Sequence, residues 1–546
     1  MDSTKVAKCF LTAKSIGKFL SFLLVLAMLL LTGCEKTKTS PADSTSSNNS
    51  ASQNDDASDQ TDVNGETVDP LTGSFSYEIT TSNINDNIEE IIPTGNTANL
   101  SNPLAGYADK EADALRNEII NTANTEKYYN IKGKKYYISS VNGDDLNTGE
   151  SPEQALKTTE PIRSLHLQPG DAVLFERGSV FRLASSILAE DGVTYGSYGK
   201  GEKPKFYTSP MNFANANWAP SVKKNVWQID YMYSDCGSMV FDHGKWIGYR
   251  RYSLRSLSKN TDFFHDSSNG IMYLYCDKGN PAKVYESIEL CLRMSMINIP
   301  SRTDDVVVDN LCLKYGGVFG VNATYDSDNI TVTNCEIGYI GGSSFSAGGR
   351  YGNAIQLWNG NKKGRYDHNW IYQTFDTAIS WQGTGGEDFS YEDISFSDNL
   401  LEYNNGDFEF WDKKSTVKNF TMENNIMRFT ALGWGTRSDD AGSRGIEGCF
   451  VGDTVTMKID NIVIKDNIID CPGRMIINWP IDPTSLDKIK VSGTKVYVNS
   501  KYRTDPEIVR GYKHSESDPN SMNATNADEF VAAMKKFDAL AVLEWY

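Results

Sequence analysis

One short frame recurs along the chain from residue 306 onward, and it limits the fold more than any other feature. The units are VVVDNLCL (306–313), ITVTNCEI (330–337), YDHNWI (366–371), ISFSDNLL (394–401), FTMENNIM (420–427) and IVIKDNII (462–469). In each, apolar residues alternate along the segment, an asparagine follows, and an apolar residue comes next. The repeated asparagines are Asn310, Asn334, Asn369, Asn399, Asn425 and Asn467, spaced 24, 35, 30, 26 and 42 residues apart. A basic coil of about 24 residues therefore carries loops of varying length. Alternation is the period of a β-strand with one buried face. Asparagine fits the frame because it tolerates left-handed turn geometry, and because stacked amides can bond from rung to rung. A β-sandwich with chance asparagine turns would not keep one frame through six units. The repeat predicts an all-β chain whose strands stack as a single-stranded parallel β-helix, with residues 299–485 as its main body.

Between the units lie three further strands, RYGNAIQLW (350–358), FDTAISWQ (375–382) and GDFEFWD (406–412). Their alternation sorts side chains onto two faces. With Ile355, Leu357, Ile379, Phe408 and Phe410 inward, Gln356, Ser380 and Glu409 form one outward column, and Trp358, Gln382 and Trp411 form the next. Rungs about 4.8 Å apart make this surface roughly 10 Å across, the scale of a sugar ring with aromatic faces to stack on. Glycoside hydrolysis needs two carboxyl groups. Glu409 is the first candidate, because its aromatic neighbours would raise its pKa. Asp376, then Asp439, is the candidate partner; Asp407 and Asp412 flank Glu409. Taken singly, each of these acids except Glu409 reads more simply as a solvated or turn-capping carboxylate. Arg350 and Arg437 border the surface, where they would hold sugar hydroxyls or a uronate carboxylate; a salt bridge to a nearby aspartate is an equal reading. His368 reads as a turn residue.

The remaining chain is read as delivery and covering. Lys5, Lys8, Lys14 and Lys18 precede an apolar run from Phe19 to Leu31, and Leu31-Thr32-Gly33-Cys34 follows. That order is a bacterial lipoprotein signal with Cys34 as the lipidated residue, so the expected location is the cell surface, anchored to the membrane. Residues 35–72 have the composition of a disordered tether. Within 73–134, ADKEADALRNEIINT (108–122) has helical spacing with Leu115, Ile119 and Ile120 on one stripe, and is expected to cover the open end of the coil. Residues 135–209 read as the first coils, 210–298 as a β-rich insertion, and 486–546 as a C-terminal segment whose capping helix is ADEFVAAMKKFDALA (527–541). Beyond Cys9 and Cys34, seven cysteines remain without a C-x-x-C pair. They form neither a disulfide framework nor a zinc site and read as buried apolar residues. A formal net charge of −18 argues against a nucleic-acid partner.

The first coils carry a resemblance. KKYYISSVNGDDLNTGESPEQALKT, IRSLHLQPGDAVLFERGSVFR and VTYGSYGKGEKPKFY resemble the opening of secreted right-handed parallel β-helix proteins of the pectate-lyase-like superfamily, which act on polysaccharides. RYGNAIQLW, YQTFDTAISWQG and FEFW look like motifs of an exported branch of that group, where the first strand often has an acid in place of Gln356. The resemblance covers residues 135–480 and implies a right-handed coil with a β-rich insertion. It also implies a polysaccharide or oligosaccharide partner. A hydrolase would use the carboxylates with no cofactor or metal. A lyase would add Ca²⁺ and an arginine or lysine base at the Asp439-Asp440 cluster. A surface glycan-binding protein would use the aromatic face alone.

Overall fold

The parallel register follows directly from the repeat. The computed structural model describes residues 104–499 and 542–545, apart from breaks at 232, 347–348, 384–388, 413–414, 438–439, 441, 443, 445–447, 453–457, 474 and 479–487. The lipoprotein signal with Cys34, the tether, Asp439 and the 527–541 helix lie outside the described residues. Three parallel sheets, of eleven, ten and eight strands among the described residues, run the length of the coil. One turn shows the winding: Arg365–Asp367 lies in the first sheet, Trp370–Thr374 in the second, Thr377–Gln382 in the third, and Ser390–Ser397 returns to the first. The chain is a parallel β-helix.

The six asparagines divide into two jobs that differ by one residue. Asn310 and Asn334 adopt positive φ, and in the following coils that corner position is taken by His368, Asp398, Asn424 and Asp466, also at positive φ. The amide ladder stands one residue later, at Asn369, Asn399, Asn425 and Asn467. Each Nδ2 of the first three donates to the next Oδ1, at 3.1, 2.9 and 2.9 Å. The same Oδ1 atoms accept the backbone N–H of the rung before, at 3.0–3.1 Å. Cys335 N–H starts the ladder on Asn369 Oδ1. The single six-membered frame is thus corrected: the first two asparagines supply the turn and the last four the ladder. These amides are fully buried, so every donor needs its partner.

Inside the coil, Ile355, Leu357, Ile379, Trp381, Phe408 and Phe410 join one continuous core. Trp381 is central, with ring centroids of Phe408 at 5.0 Å and Phe420 at 4.9 Å. Burying such rings contributes about 2–3 kcal/mol each, and the edge contacts add a further ~1 kcal/mol. The rung that carries Ser380 and Gln382 on its other face is therefore anchored from within.

The helix Asp109–Ile120 does not close the coil's end. It lies on the outer face of the second sheet, where Ala112 and Ile119 pack with Trp370, Tyr372 and Leu400. Arg116, rather than Leu115, centres the buried stripe; it bonds both oxygens of Glu402, at 2.8 and 2.9 Å, and lies over the Trp370 ring. The aromatic outer face of that sheet needs covering, and the pairing with Glu402 makes a buried arginine tolerable. The N-terminal end is closed instead by Leu156, Ile162 and Leu167, which enter the main core.

Residues 210–298 interrupt the coil between Lys205–Tyr207 of the second sheet and Ile297–Ile299 of the third. They form a three-stranded antiparallel sheet from Cys236–Phe241, Trp246–Ile247 and Ile288–Leu292, and a mixed five-stranded sheet beside it. The seven cysteines from Cys236 onward are buried thiols.

The two asparagine jobs separate by mutation. Asn425→Ala orphans the buried N–H of Asn399 and the Phe396 carbonyl, and urea unfolding should show a loss of roughly 2–5 kcal/mol. Exposed, positive-φ Asn424 should tolerate glycine with little change.

Candidate active site

The third sheet sets the outward columns. Its register pairs Asn322 with Gln356, Gln356 with Ser380 and Ser380 with Glu409, and beside them Trp358 with Gln382 and Gln382 with Trp411. The columns differ in cover. Gln356, Ser380 and Glu409 are buried, whereas Trp358, Gln382 and Trp411 are half-buried. The result is an outer face with a half-buried aromatic and amide row beside a buried polar floor.

Glu409 is the centre of that floor. Ser380 Oγ donates to its Oε2 at 2.5 Å and Gln382 Nε2 to the same oxygen at 2.7 Å. Oε1 has no hydrogen-bond partner among the described residues. Burial pushes the carboxyl above the usual range and the charge of Asp376 pushes it further; Arg444 and the two hydrogen bonds pull it back. A carboxyl held this way resembles a general acid, with one oxygen fixed and the other available.

Asp376 stands at the corner entering the strand Thr377–Gln382 and is 3% exposed. Its Oδ2 pairs with Arg444 Nε at 2.8 Å. Its Oδ1 is buried without a hydrogen-bond partner among the described residues, which is costly for a carboxylate. The loop that brings Arg444 is fastened at Trp434, whose Nε1 bonds the Gln373 carbonyl at 2.8 Å and whose ring lies 4.8 Å from Phe375. Gly433 and Gly435 flank it because a Cβ would strike the backbones of Tyr403 and Phe375.

The two arginines expected to hold sugar do something else. Arg350 bonds Asp440 Oδ2 at 2.9 Å and the carbonyls of Gly342 and Gly237 at 2.7 and 2.9 Å, wholly buried. Arg437 bonds the Ile247 carbonyl at 2.8 Å and lies 4.2 Å from the Tyr249 ring centre. Both clamp the insertion against the coil. Asp440 completes the clamp by accepting the Arg250 backbone N–H at 2.7 Å. Both of its oxygens are engaged, so it is committed to structure rather than to a cation.

The other candidates fall into place by the same accounting. Gln356 accepts from Asn353 Nδ2 at 2.6 Å and donates to the Leu357 carbonyl, so it serves the strand rather than a ligand. Gln382 is held by Glu409. Trp358 and Trp411 keep part of their surface open. Asp407 is sealed under Thr430, Asn404 and Cys449, and burial pushes its carboxyl up to about 8. Asp412 accepts from Ser415 at 2.6 Å and Tyr391 at 3.2 Å. His368 is a turn residue beside Asp367. Alternation pointed to Ser380 without a role; nothing in the sequence marked Arg444 as the partner of Asp376.

No family model matches the chain. A curated lacto-N-biosidase of Bifidobacterium longum subsp. longum is 29% identical over 102 residues, which is 17% of this chain and 6% of that protein. The chain thus spans a small fraction of that relative. Among solved structures, a GH136 lacto-N-biosidase from Eubacterium ramulus aligns at 16% identity with a TM-score of 0.34, covering 68% of this chain and 57% of its own. The pectate lyase Pel9A aligns at 11% identity and a TM-score of 0.33, covering 67% and 70%. At such scores the parallel coil stands on its own strand register.

Proposed function

We propose that this chain is a carbohydrate-active enzyme, a glycoside hydrolase acting on a polysaccharide or oligosaccharide, exported and held at the bacterial surface by a lipid on Cys34. The observation that carries the reading is Glu409: a buried carboxyl under an open rim of Trp358 and Trp411, fixed through Oε2 and free at Oε1 among the described residues. The local likeness to a lacto-N-biosidase supports a glycosidase over its short span.

In this reading the tryptophan faces stack a sugar ring. Glu409, protonated, donates from Oε1 to the leaving glycosidic oxygen. Asp376, paired with Arg444, serves as the second carboxylate, either activating water or attacking the anomeric carbon. Which of the two it does follows from the carboxyl separation with substrate bound. A calcium-assisted lyase finds less support, because Asp440 of its acid cluster is spent on Arg350 and Arg250.

Two measurements test the site. Glu409→Gln should lower kcat by about 10²–10⁴-fold on whichever substrate of a glycan panel, lacto-N-biosidase substrates included, yields new reducing ends. Calorimetric binding should persist; unchanged turnover would remove Glu409 from the chemistry. The second uses pH. Ser380 and Gln382 stabilise the charged form of Glu409, so Ser380→Ala or Gln382→Leu raises its pKa. An acid works only while protonated, so the alkaline limb of kcat/KM should move to higher pH. A limb that stays put or moves down contradicts the role.

A further inference from the structure

Lys203 is an anomaly among the buried cations. Lys314 and Lys205 pair with Glu336 and Glu202 at 2.6 Å each, as a buried ammonium requires. Lys203 is 3% exposed and has no carboxylate partner among the described residues; its Nζ meets Oδ1 of Asn310. The two residues occupy the same corner on successive rungs, two positions before the paired Lys205 and Cys312. Asn310 is itself fully buried, and its Nδ2 is fixed on the Ala123 carbonyl at 2.7 Å. Beside it, Asp309 is fully buried. One of its oxygens accepts from Asn334 at 2.8 Å; the other, near the Thr125 hydroxyl, makes no well-formed hydrogen bond among the described residues.

We propose that Lys203 and Asn310 join in an intramolecular amide bond, with Asp309 as the proton carrier. The Lys203 amine attacks Asn310 Cγ and forms a C–N bond. The Cγ–Nδ2 bond breaks, and Nδ2 leaves as ammonia with the proton that Nζ gives up, passed through Asp309. One primary amine and one carboxamide become one secondary amide and ammonia, so no oxidant or cofactor is needed. The local electrostatics suit each step. Burial pushes the Lys203 amine down to about 8, and the neighbouring Arg177 pushes the same way, against the nearby Asp309 and Glu336. Burial raises the Asp309 carboxyl, keeping it able to donate.

The placement gives the bond a purpose. Lys203 precedes the insertion and Asn310 follows it, 107 residues later. Elsewhere, successive rungs are joined by one coil of chain, whereas here the insertion intervenes and the rungs meet through parallel backbone pairing and the shared core. A covalent tie across that gap removes the loop-closure entropy of the whole insertion from the unfolded state.

Mass spectrometry of the full chain under denaturing, reducing conditions tests this. The wild type should be one ammonia lighter than its processed sequence, and a tryptic digest should yield a branched peptide joining Lys203 to Asn310. Lys203→Met should restore the missing ammonia, and Asp309→Asn, which keeps an acceptor for Asn334, should leave amine and amide unjoined. Full mass in the wild type, or ammonia loss with both peptides linear, overturns the bond. Cross-linking undiminished in Asp309→Asn overturns the part given to Asp309.

Discussion

The amide ladder from Asn369 to Asn467 is the constraint on which the rest depends. Each Oδ1 after that of Asn369 accepts both the side chain and the backbone of the preceding rung. A one-residue slip would orphan both donors at once and turn every inward side chain outward. With the register locked at that corner, Gln356, Ser380 and Glu409 have no choice but to align on the third sheet, and Trp358, Gln382 and Trp411 to align beside them. That polar column is a consequence of turns elsewhere on the coil.

How the insertion is held is a second matter, governed by charge. The corner between the second and third sheets carries the insertion, fastened by Arg350, Arg437, Asp440 and the ion pair of Arg250 with Asp235 at 2.6 Å. Buried ions are tolerated only in such company. Against that background, Asp376 Oδ1 has no hydrogen-bond partner among the described residues, and Lys203 Nζ meets an amide rather than a carboxylate. The first lies near Glu409 in the proposed reaction site; the second lies at another corner, in the proposed covalent tie.

The sequence showed some of this and concealed the rest for physical reasons. The coil and its outward columns were legible because period 2 leaves each strand residue only two directions. The split among the asparagines was not, since a left-handed turn residue and a ladder amide one position apart give the same apolar–Asn–apolar string. The helix at 109–120 was legible as a helix, but periodicity names a face and not the surface it meets, and Arg116 reads as polar until Glu402 is found opposite. Arg350 and Arg437 looked like ligand-binding residues because their partners at Asp440 and Ile247 lie 90 and 190 residues away. Arg444 was hidden for the same reason.

The proposed site of reaction is the outer face of the third sheet over Glu409. A crystal structure of Glu409→Gln bound to an oligosaccharide that the wild type cleaves tests it most directly. The account predicts a sugar ring stacked on Trp358 or Trp411, its glycosidic oxygen within hydrogen-bond reach of residue 409 and its anomeric carbon toward Asp376. A glycan bound on the insertion or on another sheet, with this face empty, would contradict it.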